Sequence, residues 1–413
     1  MDRPRLVITG IAAITPVGLN AQSTWENLVK GVCGVDYITL FDASELPVRI
    51  AAEVREFDPT QYMPAKEVRR TTRAIHFAVA LGRMALEDAG LEITEENTER
   101  TAVVMNTGGG GVSVIYDATL DMLNKGARGV SPFVIPNVMP NAVSCQISIA
   151  EGIKGPIVTG TAACASGNMA FVDAARLLWL GEADVAIVGG VEAGINPVAI
   201  ASLARAGALS TRNDDPKHAS RPFDRHRDGF VFGEGGAAMV IETEEHARRR
   251  GARIYAELVG GAVTGDAYHI TAPPPGGEGA ARAMRLALER SHIAPEDVDL
   301  ISAHATSTPL NDVAETQAIK SVFGEHAYNL SITATKSMVG HLLGGAGAIA
   351  AFAAVMSIYT GIVPPTINLE EPDPECDLDY TPNEARERDV RVALANGFGF
   401  GGQNAVAVFR KYM

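Results

Sequence analysis

The chain has 413 residues, 46% of them hydrophobic and 20% charged, with a net charge of −14. That length allows a large core in one or two domains, the composition is too apolar for a disordered chain, and the charge excludes broad nucleic-acid binding, which needs a positive surface. Cys33, Cys145, Cys164 and Cys376 form no CxxC pair and no zinc-like Cys/His spacing. This argues against a disulfide framework or a metal site and for a reducing, cytoplasmic setting.

The N-terminal MDRPRLVITGIAAITPVG starts with charge and turns apolar, as a signal peptide does. Thr9, Gly10, Thr15 and Pro16 break it, so it reads as a first strand and turn. Further along, strands are expected over 6–9, 101–105, 157–159, 185–188, 237–241, 254–259, 300–303, 392–395 and 405–409. Helices are expected over 23–30, 72–89, 166–180, 244–250, 279–291, 312–323 and 345–359, and Gly90, Gly181 and Gly251 stand where C-cap glycines would. The apolar run 185–204 is interrupted by Glu192, Asn196 and Pro197, which favours a buried strand and loop over a membrane span. The alternation predicts an α/β fold with sheets covered on both faces. A boundary falls near 249–253, where HARRRGAR reads as a solvated helix end.

Four segments carry chemistry. In VTGTAACASGNMAF (158–171), strand, tight turn and helix place Cys164 where a helix dipole and free N–H groups would favour the thiolate. An inert small core cysteine fits the same stretch equally well. In SAHATSTPLND (302–312), His304 ends a strand beside the hydroxyls of Thr306, Ser307 and Thr308, a placement suited to general acid–base work or to a structural histidine. In TATKSMVGHLLGGAGAIAA (333–351), Lys336 and His341 lead into glycines that suit close helix packing. There is no phosphate loop, since GxxxxGK[ST] is absent. NGFGFGGQN (396–404) suits a loop with unusual backbone angles and an N–H facing an oxyanion, or an edge loop before the last strand.

Together with VITGIAAITPVG, ACASG, RPFDRHRDGFVFGEG, TKSMVGHLLG and VPPTINLEEPDP, these segments resemble the β-ketoacyl-[acyl-carrier-protein] synthases of the thiolase-like superfamily, along essentially the whole chain and closest in type to the synthase II of fatty acid synthesis. The resemblance implies two similar halves, 1–251 with the cysteine and 252–413 with the histidines, in a layered α-β-α-β-α thiolase-like arrangement. It implies a homodimer; the net charge and the interrupted apolar runs predict no nucleic-acid or membrane partner. It also implies decarboxylative Claisen condensation with substrates on the phosphopantetheine of acyl-carrier protein, and no cofactor. In that scheme Cys164 carries the acyl group, His304 and His341 serve decarboxylation, Lys336 sets the electrostatics, and the N–H groups of Cys164 and Phe400 form the oxyanion hole. Thr306 and Thr308 match pantetheine contacts, and Phe400 matches a gate to the acyl passage. Lys66, Arg69, Arg70 and Arg128 match the carrier-docking surface, although KEVRRTTR also reads as a solvated helix start.

The sequence departs from this family at several places. Ala350 stands for a usual glutamate, Ala162 for a threonine, Ala305 for a glycine and Gln403 for a threonine or histidine. Gly109 stands where an isoleucine-like side chain often lines the acyl passage, so longer or branched chains are expected to fit. A polyketide ketosynthase shares nearly all the motifs. A thiolase does not, since it has asparagine in place of His304 and a second cysteine near its C-terminal end. A non-catalytic chain-length partner would lack Cys164.

Overall fold

The computed structural model describes residues 3–413. The first apolar run forms β1 (Leu6–Ile14), buried along its whole length. It outruns the expected end at Thr9 because Gly10 lets the strand lie flush on a helix: a Cβ there would sit 2.2 Å from the Ala85 carbonyl oxygen. A register shift between Ile8 and Gly10 accommodates the approach.

Four more strands come from the N-terminal half: β2 (Thr101–Asn106), β3 (Ile157–Val158), β4 (Val185–Glu192) and β5 (Gly235–Thr243). Five come from the C-terminal half: β6 (Ala256–Gly265), β7 (Leu300–Ser302), β8 (Ser331–Thr333), β9 (Val392–Gly399) and β10 (Gln403–Arg410). Their order is β8-β7-β9-β10-β6-β1-β5-β4-β2-β3. Each half is therefore a mixed five-stranded sheet, and the two join where Leu6–Ile8 of β1 pairs antiparallel with Ala256–Leu258 of β6.

Five helices complete the layers. α1 (Arg73–Ala89) covers the outer face of the N-terminal sheet, and α3 (Glu278–Ser291) covers that of the C-terminal sheet with α4 (Pro309–Phe323) packed against it. Between the sheets lie α2 (Ser166–Trp179) and α5 (Ala346–Thr360). This is the α-β-α-β-α arrangement. The two halves meet in a central buried cluster that holds Leu6, Phe171, Leu300 and Phe352. The 18-residue stretch Leu343–Thr360 is long and apolar enough to span a membrane, but 83% of it is buried here. It is the central helix of the molecule.

Two expectations are corrected. The 185–204 run is β4 followed by a helix, Pro197–Arg205, rather than strand and loop; the Asn196 side chain accepts the Ala199 N–H at 3.0 Å and Pro197 opens the first turn. The segment 396–404 is a hairpin, with Asn396–Gly399 paired to Gln403–Val406 around the Phe400–Gly402 turn. The helices Val112–Lys125 and Ala142–Glu151 were not expected. The first has no buried residue.

A buried ion cluster pins β5. Glu242 accepts from Arg250 Nη2 and His246 Nδ1, both at 2.5 Å, and from the Thr9 hydroxyl. Burial opposes ionisation, but the bonds from Arg250, His246 and Thr9 outweigh it and bring the carboxyl down to about 2. A lowered carboxyl stabilises the fold above its unfolded value, 4.5, and loses that contribution as pH falls towards 2. Glu242→Gln is expected to cost roughly 3 kcal/mol at neutral pH and to flatten the acid limb between pH 5 and about 2. Urea unfolding across that range checks it; an unchanged acid limb would remove Glu242 from the account.

Candidate active site

Four chain segments that pass through the core meet at one point. Cys164 lies in a single 3-10 turn, Ala163–Ala165, just before α2. Ala163 has φ +47°, a left-handed conformation that costs about 1 kcal/mol or more outside glycine. The turn is held by Ser166, whose hydroxyl donates to the Ala163 carbonyl at 2.7 Å and accepts the Ala162 N–H at 2.8 Å. This explains why only small residues surround the thiol. Gly399 crosses the turn so closely that a Cβ would lie 2.5 Å from the Ala162 oxygen.

His304 follows β7, and His341 follows the short helix Lys336–Val339. Their rings lie 5.5 Å apart, edge to face, with Phe230 against His341 at 5.0 Å and Phe398 against His304 at 5.5 Å. Both Nδ1 atoms are buried without a hydrogen-bond partner, a state tolerated where a ligand is to be held. Burial first, then the Lys336 charge, holds both imidazoles well below their usual pKa, so both are neutral.

Lys336 is buried, and its Nζ donates to the His304 carbonyl at 2.5 Å. Burial brings it down to about 8, with the charges of Glu315 and Cys164 working the other way. The His304 segment is anchored by Glu315, which accepts the N–H groups of His304 at 2.9 Å and Ala305 at 2.7 Å, and Asn396 Nδ2 at 3.0 Å. Ala305 has φ +37°, the conformation a glycine would adopt freely.

The thiolate expectation is corrected. Burial pushes the Cys164 thiol up to about 11, against the pull of the Phe400 N–H, Lys336 and its own N–H. The sulfur rests as a neutral thiol because desolvation outweighs the two N–H groups and the Lys336 charge. The two N–H groups expected to form an oxyanion hole do converge on it.

Cys164, His304, His341, Thr306, Thr308 and Phe400 all line one cavity of about 400 Å³. The Thr306 and Thr308 hydroxyls are 3.0 Å apart, and Thr308 also caps α4 by accepting the Asn311 N–H at 3.3 Å. Phe400 sits at the turn, 40% exposed. Gly109 is not part of that lining; it lies beside Glu192. Lys66, Arg69 and Arg128 are exposed on the surface. Arg70 pairs with Glu67 at 3.5 Å and lies over the Phe133 ring at 5.3 Å. Ala350 is buried among apolar residues of the central core.

Sequence reasoning missed Glu192, Glu315, Phe230 and Phe398. The signal for Glu192 was present: a lone acid inside an apolar run is either a break or a buried carboxylate with partners. Glu315 has no such signal, since it resembles any polar position of a helix.

A thiolase-like fold with a buried cysteine and two neutral histidines around one cavity, and a lysine bound to the His304 carbonyl behind them, defines a condensing acyltransferase. The chain belongs to the β-ketoacyl synthase family: residues 3–247 match its N-terminal domain and 255–370 its C-terminal domain. It is similar to the 3-oxoacyl-[acyl-carrier-protein] synthase 2 of Synechocystis sp., 51% identical over 412 residues, covering 100% of this chain and 99% of the relative. The protein of the same name from Coxiella burnetii is 47% identical over 414 residues, again covering 100% and 99%. Among solved structures, the ishigamide ketosynthase/chain length factor matches with a TM-score of 0.92 and 36% identity over 100% of both chains. A type II polyketide synthase acyl-carrier protein in complex with its ketosynthase matches with a TM-score of 0.92 and 32% identity, also over 100% of both chains.

Proposed function

We propose that the chain elongates acyl groups delivered by acyl-carrier protein in fatty acid synthesis, as a cytoplasmic homodimer with no cofactor of its own. The observation that carries this is the meeting of Cys164, His304 and His341 on one cavity, with Lys336 buried against His304 and two N–H groups on the sulfur. Cys164 attacks the acyl thioester carbonyl, the N–H groups of Cys164 and Phe400 hold the oxyanion, and the pantetheine sulfur leaves with the thiol proton. Malonyl-carrier protein then loses carbon dioxide, and the neutral histidines donate to the enolate oxygen that forms. The enolate carbon bonds to the acyl carbonyl carbon, the bond to Cys164 breaks, and one proton restores the thiol. The product is a 3-oxoacyl chain two carbons longer.

The remaining assignments follow from chemistry of the surface. Lys66, Arg69, Arg70 and Arg128 would receive an acidic carrier on an otherwise acidic protein. Dimerisation is supported by β3, an edge strand with Ile157 41% exposed, and by Ile149, 72% exposed on the helix Ala142–Glu151 that packs against it. Identity of 51% to a 3-oxoacyl-[acyl-carrier-protein] synthase, against 32% to a polyketide ketosynthase, supports fatty acid over polyketide chains.

Acyl- and malonyl-carrier proteins mixed with the protein are expected to yield carbon dioxide and the elongated 3-oxoacyl carrier. Unchanged carriers beside a folded protein would refute the reading. A Cβ at Gly109 meets only Glu192 Oε1, at 3.6 Å, so a larger side chain has room to extend. Gly109→Ile is expected to lower acylation by the longest chains about tenfold and spare short ones. Competition among acyl-carrier proteins checks it, and an unchanged chain-length profile would place the acyl passage elsewhere.

A further inference from the structure

Glu192 ends β4 with 1% of its surface exposed, and the condensation chemistry makes no use of it. Its Oε2 accepts three backbone N–H groups, from Gly108 at 3.0 Å, Gly109 at 3.2 Å and Gly344 at 3.2 Å. Its Oε1 accepts the Thr107 hydroxyl at 3.3 Å, and that hydroxyl in turn accepts the Gly110 N–H at 3.1 Å. All of these partners are backbone or hydroxyl donors, so the carboxylate acts as a hub for loops rather than as half of an ion pair.

The loops it gathers come from opposite halves of the chain. Thr107–Gly110 follows β2, and Gly344 lies three residues beyond His341. They touch: a Cβ on Gly344 would lie 2.0 Å from the Gly108 nitrogen. They also abut the nucleophile turn, since a Cβ on Gly108 would lie 3.2 Å from the Ala163 oxygen, and Ser166 Oγ reaches the Thr107 carbonyl at 3.2 Å. One oxygen therefore holds two glycine segments against the residue that precedes Cys164.

We infer that Glu192 is a positioning residue: by binding the Gly108–Gly109 loop and Gly344 together, it fixes the turn that presents Cys164 to the acyl thioester. Burial pushes its carboxyl up to about 7, against the pull of those N–H groups, and an acid with no such task would be cheaper to replace with an apolar side chain. The inference rests on Cys164 as the acylated residue. It concerns the rate at which that sulfur reacts, since none of the residues proposed for carrier docking is a partner of Glu192.

The test measures acylation of Cys164 by intact-protein mass spectrometry against acyl-carrier protein concentration, for the parent, Glu192→Ala and Glu192→Gln. Alanine leaves three N–H groups without an acceptor, and kcat for acylation is expected to fall about a hundredfold with KM unchanged. Glutamine offers one amide oxygen to the same three N–H groups and an N–H to Thr107, so it is expected to restore most of the rate. Should the alanine variant fail to fold, Thr107→Val, which removes one arm of the hub, is expected to show a smaller fall, again in kcat alone. Parental kcat in a folded alanine variant, a change confined to KM, or a glutamine variant as slow as alanine would overturn the inference. A parent that is never acylated would instead overturn the assignment of Cys164.

Discussion

Cys164→Ala is expected to abolish acylation by acyl-carrier proteins of every chain length while leaving a folded protein. The sulfur is the reacting atom, and losing a nucleophile from a site of this kind costs more than about a thousandfold in rate. The fold should tolerate the change, because the side chain is small and the turn is held by Ser166 and Gly399 rather than by the thiol. Truncation of so small a group costs on the order of 1 kcal/mol. Intact mass before and after mixing reads the first effect, and thermal unfolding reads the second. A mass gain that persists in the variant would move the nucleophile to another thiol; Cys33 and Cys145 are the two that are not buried.

Gly167→Ala is expected to destabilise the protein by several kcal/mol and to remove activity with it. Intrinsic helix propensity points the other way, since alanine for glycine inside a helix gains about 1 kcal/mol. Here α2 and α5 cross at this residue: a Cβ on Gly167 would lie 2.4 Å from the Ala348 nitrogen and 3.0 Å from the Gly344 oxygen. Both obstacles are backbone, so no rotamer change relieves them, and the helices must separate. α2 follows Cys164 directly and α5 follows the His341–Gly344 segment, so their separation pulls the cysteine and histidine apart. Denaturant unfolding with a carrier acylation assay decides the sign. A gain in stability would mean that propensity outweighs the crossing.

The glycines of GHLLGGAGAIAA illustrate how much was visible beforehand. Their density signals close packing, and close packing is what they do. Which backbone each approaches, Asn168 for Gly347, Gly108 for Gly344 and Gly235 for Gly345, is set by segments far away in the chain, and no local pattern carries that. Cys164 makes the same point in electrostatics. A short turn before a helix argues for a thiolate, yet depth of burial decides the proton, and depth is a property of everything folded around the turn. The exposed helix Val112–Lys125 lacks a start signal instead, since Gly111 precedes it and no side chain caps its first turn, while its apolar residues face outward.

By itself the sequence determined the alternation of strands and helices, most of the strands and long helices, the Cys/His/Lys set and, through its motifs, the family. Those features are written in local periodicity, capping residues and motif spacing, which act over a few residues. The tertiary structure alone decided that the two halves meet in a shared central cluster, that the thiol is neutral at rest, and that Glu192 and Glu315 stand behind the reacting groups. Each of these depends on desolvation or on a hydrogen bond between residues far apart in the chain, and such contacts exist only once the layers have closed.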